Sequence, residues 1–275
     1  MKYGFQPKSV QLKTENSKLR TKKSLGQNFL RNPYYLRLVA DAGDIKKGEA
    51  VLEIGPGDGA LTGELLERGA RILAIEKDRR LILFLKKKFA KEIAEKRLRV
   101  IEADALTFNP IAYRLSPHAY KVVANIPYYI TGALLRKFLE ETAQPERIVF
   151  LVQKEVAERI AREKKESILS LSVKAYGAPH YIKTVPRGAF APVPAVDSAI
   201  LAIENISRRN FSNLTHEKRF FELLRAGFAQ KRKLLGRNLE KILGPQTTAA
   251  LRAAGIPEKA RAEDVGLAKW LILAK

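Results

Sequence analysis

Short apolar segments rich in valine and isoleucine alternate with longer amphipathic segments through the first half of the chain. Such alternation predicts repeated strand–helix units, and therefore a mostly parallel sheet with helices on both faces. The predicted strands are Ala50–Ile54, Arg71–Ile75, Leu98–Glu102, Tyr120–Ala124 and Arg147–Val152. The predicted helices between and after them are Leu61–Arg68, Arg79–Lys96, Thr131–Thr142 and Lys154–Glu163.

Three more segments have strand-like patterns, namely Leu169–Ala175, Tyr181–Val185 and Ala199–Ile203. The proline-rich segment Phe190–Pro194 cannot form a central strand, because proline has no backbone donor, and it is predicted to be a shaped loop.

The pattern changes after Glu204, where the strand signal stops. Three helices are predicted there: His216–Leu243, whose apolar residues form one stripe, then Thr247–Ala254 and Gly266–Ala274. We therefore predict a basic tail over residues 1–20, an α/β domain over residues 21–204 and a small helical domain over residues 205–275.

Composition narrows the classes of function. Apolar residues make up 46% of the 275 residues, there is no cysteine, and only three histidines occur. Disulfides and thiolate metal sites are thereby excluded, and we expect no metal. No apolar run is long enough to span a bilayer and the N-terminus has no apolar signal core, so we expect a cytoplasmic protein without a membrane partner.

Charge is the strongest compositional signal. Lysine and arginine number 51 against 29 acidic residues, which gives a net charge of +22. The basic residues concentrate in residues 1–30 and 206–241, on either side of a less charged body. A field of this kind attracts a polyanion and indicates a clamp around RNA, with ordinary solvated basic faces as the alternative.

A glycine-rich loop, Glu53–Gly59, follows the first predicted strand. Its glycines allow a tight turn and a close approach of the backbone to a ligand. Gly55, Gly57 and Ala60 also fit the dinucleotide fingerprint, so the loop alone leaves NAD open. Glu76 ends the second strand, where a carboxylate can accept hydrogen bonds from both hydroxyls of a ribose.

Two acids favour S-adenosylmethionine over NAD. Glu53 lies two residues before the first glycine, where S-adenosylmethionine-dependent methyltransferases usually carry an acid. Asp104 follows the third strand and can accept a hydrogen bond from the exocyclic amine of the cofactor's adenine, although capping of a local turn is the alternative.

The tetrapeptide Asn125–Tyr128 follows the fourth strand and has the chemistry for methylating an adenine amine. That amine is a poor nucleophile because its lone pair is delocalised into the ring. The Asn125 side-chain oxygen and the Ile126 carbonyl can each accept one amine N–H and localise the pair. Pro127 stiffens the turn, and Tyr128 offers a ring on which a flipped base can stack.

These motifs together resemble the ribosomal RNA adenine dimethyltransferase family, from about Thr21 to the C-terminus. The segments that carry the resemblance are Ser24–Leu30, Glu53–Gly59, Ile75–Glu76, Asp104–Ala105, Asn125–Tyr128, Gln153–Val156 and Phe190–Ser198. The resemblance implies a Rossmann-like S-adenosylmethionine-dependent methyltransferase domain with a small all-α C-terminal domain.

The resemblance also implies roles for individual residues. It implies cofactor binding by Gln27, Asn28, Leu30, Gly55, Gly57, Glu76, Asp104 and Asn125. It assigns catalysis to Asn125 and Tyr128, with Phe190 covering the second face of the target base.

Phe228–Lys233 and Arg261–Val265 resemble the branch of the family that dimethylates two adjacent adenines in the last hairpin of small-subunit ribosomal RNA. The small subunit and its 16S RNA are then the expected partners of a monomeric protein. Arg225, Lys231, Arg232, Lys233 and Arg237 are the expected RNA contacts, on one predicted helix. One departure is a short loop before Glu166–Ser170, which leaves RNA contacts of that loop in doubt.

Three alternatives remain at this point. The target could lie in large-subunit RNA, or the chain could be a non-catalytic assembly or transcription factor on the same scaffold. The third alternative is an NAD-dependent oxidoreductase, but this sequence has no recognisable catalytic acid–base pair for that reaction.

Overall fold

The computed structural model describes residues 27–275, and all statements about structure refer to that part of the chain. Its strands are β1 (Phe29–Leu30), β2 (Ala50–Ile54), β3 (Arg71–Glu76), β4 (Leu98–Glu102), β5 (Tyr120–Asn125), β6 (Arg147–Gln153), β7 (Ala178–Val185), β8 (Phe190–Ala191) and β9 (Ser198–Glu204). Its α-helices are α1 (Pro33–Ala42), α2 (Ala60–Glu67), α3 (Arg79–Lys88), α4 (Ala90–Ala94), α5 (Thr131–Glu140), α6 (Lys154–Ala161), α7 (Ile168–Tyr176), α8 (Leu214–Gly227), α9 (Leu235–Leu243), α10 (Thr247–Ala253) and α11 (Leu267–Leu273).

Seven of these strands form one mixed sheet in the order β4-β3-β2-β5-β6-β9-β7. The five strands from β4 to β6 run parallel, while β9 runs antiparallel to both β6 and β7. The predicted mostly parallel sheet is thus confirmed. Strands β1 and β8 form a separate antiparallel pair that joins the start of the described chain to the proline-rich loop.

The predicted strand Leu169–Ala175 is wrong, because this segment lies within helix α7. Ser167 caps the helix: its hydroxyl accepts from the Ser170 backbone N–H at 3.0 Å, and the Ser170 hydroxyl accepts from the Ser167 N–H at 2.7 Å. Ser172 donates to the Ile168 carbonyl at 2.6 Å. These local bonds satisfy the serines inside a helix, so their alternation with apolar residues does not indicate a strand here.

The segment His216–Leu243, predicted as one helix, forms two helices, α8 and α9, because α8 ends at Gly227. A Cβ atom at this glycine would lie 2.4 Å from the Trp270 ring. The Asn238 amide donates to the carbonyls of Gly227 at 2.6 Å and Gln230 at 3.1 Å. The Gly227 carbonyl thus accepts a hydrogen bond from a side chain, in place of the backbone N–H that a longer helix would provide. The predicted helix Arg79–Lys96 is likewise divided, into α3 and α4.

The C-terminal helices α8 and α11 pack against helix α7. Phe220 and Trp270, both fully buried, belong to the same apolar cluster as Phe150 of β6. Across this contact the Tyr176 hydroxyl donates to Glu217, whose carboxylate also accepts from Arg208 at 3.1 Å. The helical C-terminal region is therefore seated on the sheet through a continuous core, and the boundary at residue 205 stays a prediction.

None of the described helices has the length and apolar character needed to cross a membrane. Between residues 27 and 275 no three histidine or acidic side chains come together as a potential metal site.

Candidate active site

The loops that follow β2, β3, β4 and β5 surround a cavity of about 240 Å³ at the carboxyl edge of the sheet. Ligands of open parallel sheets bind at this edge. All of the predicted cofactor-binding residues, and Tyr128, line the cavity: Gln27, Asn28, Leu30, Gly55, Gly57, Glu76, Asp104 and Asn125. Ser24–Gly26, the first part of the opening motif, lie outside the described residues.

The glycine loop requires glycine for both conformational and steric reasons. Gly55 and Gly57 have φ angles of 63° and 61°, in the left-handed region that other residues avoid. A Cβ atom on Gly57 would also lie 2.7 Å from the ring of Phe29 in β1. The segment before α1 is thereby packed directly onto the loop, and the Arg31–Asp58 ion pair joins them again.

Glu76 is held in one orientation at the end of β3. One carboxylate oxygen accepts from the backbone N–H groups of Lys77 at 2.8 Å and Asp78 at 3.0 Å. The other accepts from the Gly57 N–H at 3.4 Å. The residue is 8% exposed, and this burial raises the pKa of its carboxyl above the ordinary value. The carboxylate thus connects the glycine loop to β3 and faces the cavity.

Asp104 has both a local and an external partner. Its Oδ1 accepts a hydrogen bond from the Leu106 N–H at 2.9 Å. This bond caps the local turn, which is the alternative role that the sequence left open for Asp104. Its Oδ2 pairs with the exposed Lys77 ammonium at 2.9 Å, and this partner lowers the pKa of the Asp104 carboxyl. The side chain is therefore ionised at neutral pH and acts as an acceptor at the cavity wall.

The amide of Asn125 is oriented by a hydrogen bond that the sequence did not indicate. Its nitrogen donates to the Asn28 backbone carbonyl at 2.9 Å, whereas its oxygen accepts no hydrogen bond within the described residues. The residue lines the cavity. Tyr128 is fixed by a 2.6 Å hydrogen bond between its hydroxyl and that of Ser198 in β9. Burial raises the pKa of Tyr128, which keeps the hydroxyl neutral.

Phe190 is not at the cavity. Its ring is 3% exposed and packs in the apolar cluster that contains Leu30, and its strand β8 pairs with β1. This position does not support the expected role of covering the second face of a base, because the ring is enclosed by the protein.

Glu53 is a buried acid whose environment could not be read from the sequence. It is 1% exposed, and Thr62 donates to its Oε2 at 2.7 Å, whereas Oε1 has no hydrogen-bond partner among the described residues. Burial raises the pKa of Glu53 to about 8. The carboxyl at the base of the cavity therefore holds a proton at neutral pH.

The five predicted RNA contacts are all exposed, but they do not share one helix. Arg225 lies on α8 and Arg237 on α9, while Lys231, Arg232 and Lys233 lie in the connecting loop. The prediction that all five lie on one helix is wrong, because α8 ends at Gly227, before Lys231. None of the five forms an ion pair with a carboxylate within residues 27–275, so their charges face solvent.

Comparison with known proteins decides the family. Residues 18–275 match the family described as ribosomal RNA adenine dimethylase. The chain belongs to this family. The motifs of the candidate site lie inside the matched region. The seven-stranded sheet is the fold that the resemblance implied.

Curated relatives share most of the length of this family member. A protein of Dehalococcoides mccartyi named ribosomal RNA small subunit methyltransferase A is 41% identical, over 94% of this chain and 89% of its own length. A protein of the same name from Fusobacterium nucleatum is 36% identical, over 92% and 96%.

Solved structures show the same architecture. The 23S ribosomal RNA methyltransferase ErmE superposes with a TM-score of 0.73 at 28% identity, covering 90% of this chain and 98% of its own. A dimethyladenosine transferase from Plasmodium falciparum gives 0.72 at 27% identity, with 89% and 95% coverage.

The raised pKa of Glu53 predicts a pH effect on stability. In the unfolded chain the carboxyl ionises near 4.5, whereas in the folded chain it ionises at about 8. Between these values the unfolded state has lost a proton that the folded state keeps, so rising pH favours unfolding until about pH 8. The free energy of unfolding of Glu53→Gln, measured relative to wild type, should therefore increase over this range and then level off.

Urea denaturation of the cofactor-free protein at several pH values across this range measures the difference. Glu146→Gln is the control, since Glu146 is exposed and its variant should differ from wild type by a constant amount. A Glu53→Gln difference that stays constant or shrinks with pH would contradict the assignment of a buried, protonated carboxyl.

Proposed function

We propose that this protein binds S-adenosylmethionine in the cavity and dimethylates the N6 amines of two adjacent adenines in the 3′-terminal hairpin of 16S ribosomal RNA. The orientation of Asn125 carries the proposal: in a residue that lines the cavity, the amide nitrogen donates to Asn28 while the oxygen accepts no hydrogen bond within the described residues. An adenine amine has two N–H groups to donate, so the chemistry of substrate and site is complementary.

The bound cofactor supplies an electrophilic methyl group on a sulfonium. Glu76 accepts hydrogen bonds from the ribose hydroxyls, and Asp104 accepts one from the exocyclic amine of the cofactor's adenine. Gly55 and Gly57 let the backbone approach the ligand closely. Glu76 is suited to this role because its carboxylate is already held by three backbone donors and loses little freedom on binding.

Methyl transfer then rests on positioning. The Asn125 Oδ1 atom and the Ile126 carbonyl accept the two amine N–H groups, which localises the nitrogen lone pair and aims it at the methyl carbon. In the transfer, the N–C bond would form as the C–S bond of the sulfonium breaks, and the methylated nitrogen would then release its proton to solvent. Tyr128 stacks on the flipped adenine, with its ring fixed through Ser198. A second round at the same nitrogen gives the dimethyl product.

The small subunit is favoured over the large one by the names of the curated relatives. Those at 36% to 42% identity over most of the chain are named for the small subunit, whereas the 23S enzyme ErmE is 28% identical. A non-catalytic assembly or transcription factor has no need of the ordered acceptors at Glu76 and Asn125, which count against that alternative.

The C-terminal basic residues provide the RNA grip in this proposal. Lys231, Arg232 and Lys233 project from a loop between two helices, which suits contact with an irregular phosphate backbone. The folded hairpin then determines which adenines reach Asn125. The protein is expected to act as a monomer in the cytoplasm, with the small subunit as its partner.

Removing the acceptor at Asn125 tests the chemistry. Asn125→Ala should lower the single-turnover rate of methyl transfer to small subunits by about a hundredfold or more, because the acceptor acts as the amine changes geometry. Mass spectrometry of nucleosides from the RNA measures N6-methyl and N6,N6-dimethyl adenosine directly. RNA affinity should hardly change.

Asn210→Ala is a matched control, since Asn210 also donates one amide hydrogen bond to a backbone carbonyl, at 2.8 Å, but lies outside the cavity. If Asn125→Ala keeps the rate of this control, Asn125 has no part in the reaction. If wild type forms no methylated adenosine in small-subunit RNA, the proposed function is wrong.

Neutralising the basic loop tests the grip. Replacing Lys231, Arg232 and Lys233 with alanine should weaken binding to small subunits and flatten its salt dependence, by about 0.7 to 0.9 in logarithmic slope per lost phosphate contact. Cofactor affinity should stay constant, because the loop does not line the cavity. Filter binding at several salt concentrations gives both quantities.

A charge-matched control replaces Lys86, Lys87 and Lys91, which are exposed on α3 and α4. Equal losses of affinity for small subunits in the two triple variants would show that net charge, and not this loop, determines binding. Normal binding by the loop variant at physiological salt would remove the loop from the RNA interface.

A further inference from the structure

Tyr129 is an exposed aromatic residue at the mouth of the cavity. Its side chain is 71% exposed although it lines the same cavity as Asn125 and Tyr128. Its ring and hydroxyl make no ring contact and no hydrogen bond within residues 27–275. The side chain therefore adds little to the stability of the fold, and it presents a large apolar surface to whatever approaches the cavity.

The backbone that carries this ring is held firmly. Residues Tyr128–Ile130 form a 3₁₀ turn closed by a 3.2 Å hydrogen bond from the Ile130 N–H to the Pro127 carbonyl. Tyr128 anchors the same turn through its bond to Ser198. The two adjacent tyrosines thus differ in environment: one is half-buried and fixed, while the other is on the rim.

We propose that Tyr129 forms a stacking subsite for the nucleobase next to the target adenine, at the entrance to the cavity. This inference rests on the proposed function. A base that enters the cavity leaves its neighbours at the rim, because the sugar–phosphate chain connects them. An aromatic ring is a platform for any of the four bases, since each has a π face.

The surroundings of the ring fit a nucleotide. Leu106, which lines the cavity as well, is 39% exposed and extends the apolar surface of the rim. Lys77, which lines the same cavity, has an exposed ammonium that a nucleotide phosphate can approach. A rigid tyrosine also loses few side-chain rotations when a base covers it, so stacking there is favourable.

The experiment is a double-mutant cycle between the ring and a base. Small subunits are reconstituted with RNA in which the nucleotide on the 5′ or the 3′ side of one target adenine is abasic. Methylation is measured at that adenine alone, because on one side the abasic site replaces the second target adenine. Methylation by wild type and Tyr129→Ala is then measured on each RNA. Tyr129→Ala should raise KM for normal subunits by about fivefold to a hundredfold, with kcat nearly unchanged. Tyr129→Phe should keep the wild-type KM.

On one of the two sides, removal of the base should raise the wild-type KM to a similar extent and should cause no further rise for Tyr129→Ala. If the effects of Tyr129→Ala and of base removal on KM multiply on both the 5′ and the 3′ side, the ring and the base act independently and the subsite is wrong. A Tyr129→Ala variant whose KM equals that of wild type would also overturn the subsite. A loss of cofactor affinity without RNA, equal to the rise in KM, would show that the ring covers the cofactor instead.

Leu83→Ala separates failure of the subsite from failure of the proposed function. Leu83 is 70% exposed on α3 and does not line the cavity, so its variant controls for loss of exposed apolar surface. If wild type methylates and Tyr129→Ala behaves like Leu83→Ala, only the subsite is wrong. If wild type does not methylate small-subunit adenines, both proposals are wrong.

Discussion

The register of the parallel sheet determines the geometry of the site. Ile54 of β2 pairs with Ile75 of β3 on one side and with Ala124 of β5 on the other. The next residues along these strands are Gly55, Glu76 and Asn125, so the three motifs leave the sheet at the same level. A shift of one residue in any pair would turn those side chains to the other face of the sheet. The apolar burial that maintains the register thus also assembles the candidate site.

Charge is distributed unevenly in this protein. The net charge is +22, yet the residues that line the cavity include several acids, among them Glu53, Glu76 and Asp104. Burial raises the pKa of the first two, whereas the Lys77 ammonium lowers that of the third. In the proposed function, a cationic cofactor and a polyanionic substrate require opposite local fields. The carboxylates of Glu76 and Asp104 would meet the first requirement at the sheet edge, and the basic C-terminal loop would meet the second.

Much of this arrangement could be predicted from the sequence, because strongly apolar strands and glycine loops are local signals. The strands β2 to β6, and the identity of the residues after them, follow directly from the pattern. Contacts between segments that are distant in sequence could not be predicted, because they depend on tertiary structure. Examples are the hydrogen bond from Asn125 to Asn28, the packing of Phe29 on Gly57, and the burial of Phe190. The same limit applies at Gly227, where the ring of Trp270, more than forty residues away in sequence, leaves no room for a side chain.

We propose that the register of the sheet places an S-adenosylmethionine site beside Glu76, and calorimetric titration tests this proposal most directly. Wild type should bind S-adenosylmethionine at one site per chain and should not bind NAD. Glu76→Ala should weaken that binding by about tenfold to a hundredfold while the protein stays folded, since a charge-assisted pair of hydrogen bonds is lost. Unchanged affinity in folded Glu76→Ala, or preferential binding of NAD by wild type, would contradict the account.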